Sequence, residues 1–168
     1  MWSQVRNATL IAVALVAAVW VVAGFASGAS VQQVQTVHVI TGTQHLERLD
    51  FPPSGKSPGD EYVFDAPVLS PKTKRVIGRI YGTQTAIKLE RGVLTVQGML
   101  TYELGTGNEI VIGGLGSYPL TGAPGLVRGK TFVRAVLGGT GKYAGATGTV
   151  TSKQIAPGRY DQVFRLTY

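Results

Sequence analysis

From Glu61 to Tyr168, apolar and polar residues alternate in short runs, and glycine separates or interrupts nearly all of them. "EYVFDAPVLS" (61–70), "GVLTVQGMLTYEL" (92–104) and "RYDQVFRLTY" (159–168) set the pattern. A period of two places successive side chains on opposite faces, which suits a half-buried β-strand and not an amphipathic helix. The runs are also rich in β-branched and aromatic residues, as strands are. The pattern predicts strands over 35–41, 61–70, 75–89, 92–104, 108–118, 131–139, 144–154 and 159–168, with no helix among them. The long run 75–89 is expected to bend at Gly78 and Gly82. Residues 42–60, rich in Pro, Gly and Ser, read as a loop with a short apolar patch at Leu46, Leu49 and Phe51. An all-β fold follows: eight antiparallel strands with glycine kinks predict a closed barrel, with a two-sheet sandwich as the alternative. In the run 92–104, Leu94, Val96, Leu100 and Tyr102 share one face. The alternation does not say whether that face lines a cavity or an outer contact surface.

The first residues differ in kind. Arg6 precedes an apolar run from Ala8 to Ala26, and Ser27 and Ala29 are small residues where a signal peptidase would read them. Residues 1–29 therefore read as a signal peptide whose apolar part is an N-terminal hydrophobic helix, cut after Ala29. An uncleaved membrane anchor is the alternative, because the run approaches the ~20 residues that span a bilayer. Residues 30–60 would then supply the first strand and the loop leading into the barrel, and residues 61–168 the remainder of it. The expected location is secreted or extracytoplasmic, touching membrane only through residues 8–26 if the leader is kept. The 168 residues include no cysteine, so the exported part must be held together by its core without disulfides. The net charge of +7 comes from scattered cations with no RNA-binding or helix-turn-helix signature, and nucleic acid is not an expected partner.

The stretch "AVLGGTGKYAGATGTV" (135–150) tests whether the glycines cradle a phosphate. A phosphate-binding loop of the G-x-x-x-x-G-K-[ST] type needs a hydroxyl after the lysine, and here Tyr143 follows Lys142. The position five before Gly141 is Val136, and a dinucleotide fingerprint would need glycine where Ala144 stands. The stretch is expected to be a turn, with Gly138 to Lys142 connecting two antiparallel strands and at least one glycine at positive φ.

This stretch resembles the GGTGxxxxAxG segment of plant dirigent proteins and allene oxide cyclases, where it forms a hairpin of an eight-stranded barrel. "VFDAPV" (63–68) is similar to the V-I-D-D-P-L run of dirigents, "VIGRIYGTQ" (76–84) to their V-G-R-A-Q-G, and "LTVQG" (94–98) to their L-T-V-x-G. The motifs occur in the family's order over residues 63–150. The resemblance implies a barrel whose apolar pocket holds a reactive small molecule in one conformation, with no metal or organic cofactor. In the cyclases of this class the fold enforces ring closure. In dirigents it steers the coupling of radicals made elsewhere. The chain departs from the plant pattern at Ala66, in place of a second aspartate after Asp65, and at Thr147, in place of an arginine. The scaffold is what carries over.

Asp65 is the candidate catalytic residue, because a carboxylate within an apolar strand is costly unless paired. It is expected to point into the barrel near an arginine or tyrosine of a neighbouring strand. Its competing role is a salt bridge with Arg79 or Arg134, the cations at predicted strand centres. Tyr81, Tyr102, Arg79 and Arg134 are the candidate ligand-binding residues. His38 and His45 have no cysteine or acidic cluster between them, and no metal site is expected. The expected partner is a hydrophobic small molecule that the barrel binds, and cyclises, isomerises or directs in its stereochemistry. A non-catalytic carrier or a structural envelope protein is the alternative, and a homo-oligomer is left open.

Overall fold

The computed structural model describes residues 32–120 and 129–168. The leader 1–29, with its expected helix and cleavage site, lies outside the described residues. Nine strands form: β1 (Val34–Thr41), β2 (His45–Leu49), β3 (Glu61–Leu69), β4 (Val76–Glu90), β5 (Val93–Glu103), β6 (Glu109–Pro119), β7 (Thr131–Gly139), β8 (Thr147–Ala156) and β9 (Arg159–Thr167). All pairings are antiparallel, in the order β1-β9-β8-β7-β6-β5-β4-β3, and β3 returns to β1. That return closes the sheet into a barrel of eight strands, with β2 as the extra one.

β2 lies where the sequence pattern reads as a loop. Its origin is the free edge of β3. Ile40 and Thr41 of β1 pair with Leu69 and Val68, the Gly42 amide donates to the Pro67 carbonyl at 2.8 Å, and His45 to Leu49 then pair with Asp65 to Glu61. β1 and β2 are thus two pieces of one path along β3, with a register slip between them. Without β2, the first half of β3 would present unpaired backbone groups to water. The segment after it is pinned by Asp60, whose fully buried carboxylate accepts from the Phe51 amide at 3.2 Å, the Ser57 amide at 3.1 Å and Arg48 Nη1 at 3.3 Å.

Of the two bends expected in β4, the one at Gly78 adjoins a register slip and the one at Gly82 does not. The register slips where Leu69 pairs with Val76, just before Gly78, and again between Ala86 and Lys88, while Gly82 sits in regular register. Gly82 serves close packing instead. A Cβ there would lie 2.4 Å from Cζ of Phe64, whose ring lies across it.

The turn predicted between β7 and β8 is present, displaced by a few residues. It contains a single turn of 3₁₀ helix, Gly141–Tyr143, and β8 starts at Thr147 because Gly145 takes φ +78°. Gly141 has φ +57°. The Lys142 amide donates to Asn108 Oδ1 at 3.0 Å, and Thr140 Oγ1 donates to the Gly107 carbonyl at 3.0 Å. These groups fasten the turn to the β5–β6 connection rather than facing a phosphate. Tyr143 and Ala146 are buried and join Leu104, Ile110, Phe164 and Leu166 in the core.

Even-numbered residues of β3, β5 and β9, and of β4 from Gly78 to Ala86, face inward: Tyr62, Phe64, Ala66 and Val68 on β3, and Tyr160, Gln162, Phe164 and Leu166 on β9. Two apolar clusters fill most of the interior. The larger spreads around the ring from Val39 to Leu166, and the smaller joins Tyr62, Ala86, Leu94, Val96 and Tyr118. Polar side chains share the remaining space.

Candidate functional site

The inner wall carries a group of polar side chains where the pattern of alternation supplies apolar neighbours. Gln84 follows Ile80 and Gly82 on the inner face of β4, Arg134 lies between Phe132 and Val136 on β7, Ser152 follows Val150 on β8, and Gln162 precedes Phe164 on β9. With Gln44, Leu46, Phe64, Leu100, Tyr102, Tyr118 and Tyr160 they enclose a cavity of ≈ 30 Å³. A space of that size admits about one or two water molecules.

Arg134 is the centre of this group. It is 7% exposed, and its Nη2 donates to the Tyr118 hydroxyl at 2.6 Å. The guanidinium lies 4.7 Å from the centre of the Phe132 ring, which itself stacks on Tyr118 at 6.4 Å. Gly116 makes this possible: a Cβ there would sit 2.9 Å from Tyr118 Oη and 3.1 Å from Arg134 Nη2. Gln84 Nε2 reaches the same hydroxyl at 3.5 Å. On β8 and β9, which follow β7 around the barrel, Ser152 Oγ donates to Gln162 Oε1, and Gln162 Nε2 reaches Thr41 Oγ1 at 3.5 Å.

Among the described residues three buried side-chain polar atoms have no well-formed hydrogen bond, the Tyr62 and Tyr102 hydroxyls and Arg134 Nε, and the last two belong to residues that line this cavity. Tyr102 packs edge-on against Phe164 at 5.0 Å. Burial pushes its pKa well up, against a weaker pull from Thr41 and the Arg134 charge, so the hydroxyl keeps its proton.

The expected site residues divide between the two faces of the wall. Tyr102 and Arg134 come together inside. Asp65, Arg79 and Tyr81 are together on the outside, where Asp65 pairs with Arg79 and lies 3.6 Å from His45 Nδ1. Asp65 and Tyr81 border an open groove of ≈ 460 Å³ with His45, Glu47, Thr83, Met99 and Thr101. The expectation that Asp65 points into the barrel is therefore overturned. Its neighbours Phe64 and Ala66 take the inner face, and strand geometry sends Asp65 the other way. Tyr118, Gln84, Ser152 and Gln162 were not foreseen. Their signal was present, as a polar residue at the inward parity of an otherwise apolar face. His38 pairs with Asp161 at 2.6 Å on the outer surface. Among the described residues, no three His, Cys, Asp or Glu side chains gather as metal ligands would.

No family model matches the chain, and no curated protein does. Solved structures do. A pyocyanin demethylase superposes with a TM-score of 0.64 at 21% identity, over 79% of this chain and 99% of its own. A pterocarpan synthase dirigent protein superposes with a TM-score of 0.57 at 16% identity, over 82% and 89% of the two chains. A Diels–Alderase from Streptomyces koyangensis gives 0.57 at 14% identity, over 83% and 69%. The fold is that of the dirigent and cyclase barrels. In this dirigent/cyclase-type barrel the motif 135–150 forms a hairpin, as the resemblance implied, and the hairpin's turn helps to fill the core.

Proposed function

We propose that this dirigent/cyclase-type barrel takes a hydrophobic small molecule into its lumen, holds it in one conformation, and cyclises it or directs its stereochemistry. The observation that carries the reading is the pair of unpartnered polar atoms, Arg134 Nε and Tyr102 Oη, buried on the inner wall. Buried polar groups in folded proteins are almost always satisfied, so two orphans on side chains that line one cavity call for an occupant. The mechanism follows from the wall. The apolar residues Phe64, Ile80 and Leu100 would hold the body of the ligand against rotation, which removes orientational freedom before reaction. Arg134, Tyr118 and Gln84 would steady charge that develops at a ligand oxygen. Entry of a ring-sized molecule requires the lumen to widen, because the cavity of ≈ 30 Å³ is too small for one. A Diels–Alder addition, the reaction named for one of the similar structures, needs positioning more than it needs a protein-bound group. Residues 1–29 would deliver the barrel outside the cytoplasm.

The small cavity favours a second reading, a structural barrel filled by its own side chains. Organic extraction of the full-length protein from its own cells, with mass spectrometry of the extract, separates the two. A single small molecule near one equivalent, lost in a Leu100→Trp variant that blocks the lumen, supports the ligand barrel. An empty extract, with no thermal shift from a panel of apolar aromatic compounds, supports the filled one.

A further inference from the structure

The charge of the lumen says what class of ligand it takes. The chain has nine acidic residues, all of them among the described residues, and none lines the lumen. Asp60 is bound within the 50–60 segment, while Asp65, Asp161, Asp50 and Glu90 pair with Arg79, His38, Arg48 and Lys88. No carboxylate lies within salt-bridge distance of Arg134, so this protein does not neutralise its own buried guanidinium. An arginine stays charged in any protein environment, and a buried charge without a counter-ion is among the most costly features a fold can carry. Phe132 beneath it and Tyr118 beside it lessen that cost without supplying negative charge.

Resting on the reading that the lumen takes a ligand, we infer that the ligand is an anion, whose ionised carboxylate, enolate or phenolate oxygen sits on Arg134. Three donors converge on that oxygen. Arg134 Nε is buried and unpartnered, on a side chain that lines the cavity. Tyr118 Oη accepts from Arg134 and Gln84, which leaves its own proton to donate. Tyr102 carries a protonated hydroxyl with no well-formed hydrogen bond. The apolar wall opposite selects a flat hydrocarbon body behind the charged oxygen. A neutral ligand of equal shape would leave the guanidinium unpaired and lose the charge-assisted hydrogen bonds, a difference of roughly ten- to a hundred-fold in affinity.

Benzoate and benzamide differ in charge and hardly in shape, and they make the test. In the full chain labelled with nitrogen-15, benzoate should shift the side-chain Nε–H resonance of Arg134 and raise the melting temperature. Benzamide should do neither at equal concentration. Arg134→Met should abolish the benzoate effect and Arg134→Lys should keep part of it. Arg134→Met should also melt no lower than the parent, because an apolar side chain of similar length relieves the unpaired charge. Equal responses to the two probes, or a benzoate response that persists in a folded Arg134→Met, would overturn the inference and leave the ligand-barrel reading standing. No response to either probe, with an empty organic extract, would overturn both.

Discussion

Arg79 on β4 pairs with Asp65 on β3 across the outer face of the barrel, and both side chains stay partly open to water. An exposed pair of this kind contributes little and is screened by salt. Asp65→Asn should therefore lower the melting temperature by no more than roughly 4 °C, and by less at high salt. It should leave ligand binding in the lumen unchanged. A fall in turnover of about 10²–10⁴ with the fold intact would instead give Asp65 an acid–base role at the outer groove. Parallel melting and binding curves on one variant decide this.

Gly141 and Gly138 lie in the same hairpin and should answer oppositely to substitution. Gly141 has φ +57°, and a Cβ there would sit 2.5 Å from the Gly107 carbonyl oxygen. Nothing lies within 4 Å of a Cβ built on Gly138. Gly141→Val should cost more than about 2 kcal/mol, from backbone strain and the clash together. Gly138→Ala should stay within about 0.5 kcal/mol of the parent. Urea titrations of the two variants give both numbers.

Asp60 makes stability depend on acid pH. Burial works to raise its pKa, but the amides of Ser57 and Phe51, the Arg48 charge and the Ser57 hydroxyl outweigh it and leave the carboxyl below its ordinary 3.8. The folded value thus lies under the unfolded one, so the stabilisation is complete above about pH 4–5 and fades as pH falls through the folded value. Asp60→Asn should lose roughly 1–3 kcal/mol at pH 7, the worth of hydrogen bonds to a charged acceptor. The gap between parent and variant should narrow as pH falls below the ordinary carboxyl value of 3.8. Denaturant melts at pH 7, 5 and 3 follow it, and a gap that stays constant with pH would contradict this assignment.

Tyr102 carries a buried hydroxyl with no well-formed hydrogen bond and only a weak pull from Thr41. Tyr102→Phe should leave stability unchanged or raise it by up to about 1 kcal/mol, because it removes an unsatisfied polar group and keeps the ring against Phe164. A loss of more than about 1 kcal/mol would mean that the hydroxyl bonds within the protein after all. Calorimetry of the unliganded variant reads the difference.

The sequence by itself determined the strands and, on several of them, the face. In β3 the inward set Tyr62, Phe64, Ala66 and Val68 is apolar throughout, so the opposite parity of Asp65 already pointed it outward. That inference was open to the sequence, because period-two geometry is a property of one strand. The hairpin at 135–150 was legible for the same local reason: glycine is needed where φ is positive. β2 was not legible, since five residues with a mixed pattern become a strand only by taking the edge of β3 that β1 leaves free. Nor was the face of Arg134. In β7, Phe132 and Val136 alternate with Val133, Ala135 and Leu137, so both sides are apolar and periodicity gives no direction. Closure of the sheet chose. It put Arg134 inside with Tyr118 and left Val133 and Leu137 exposed, because the side of a strand that becomes the interior depends on pairing with β6 and β8, which the strand's own residues do not encode.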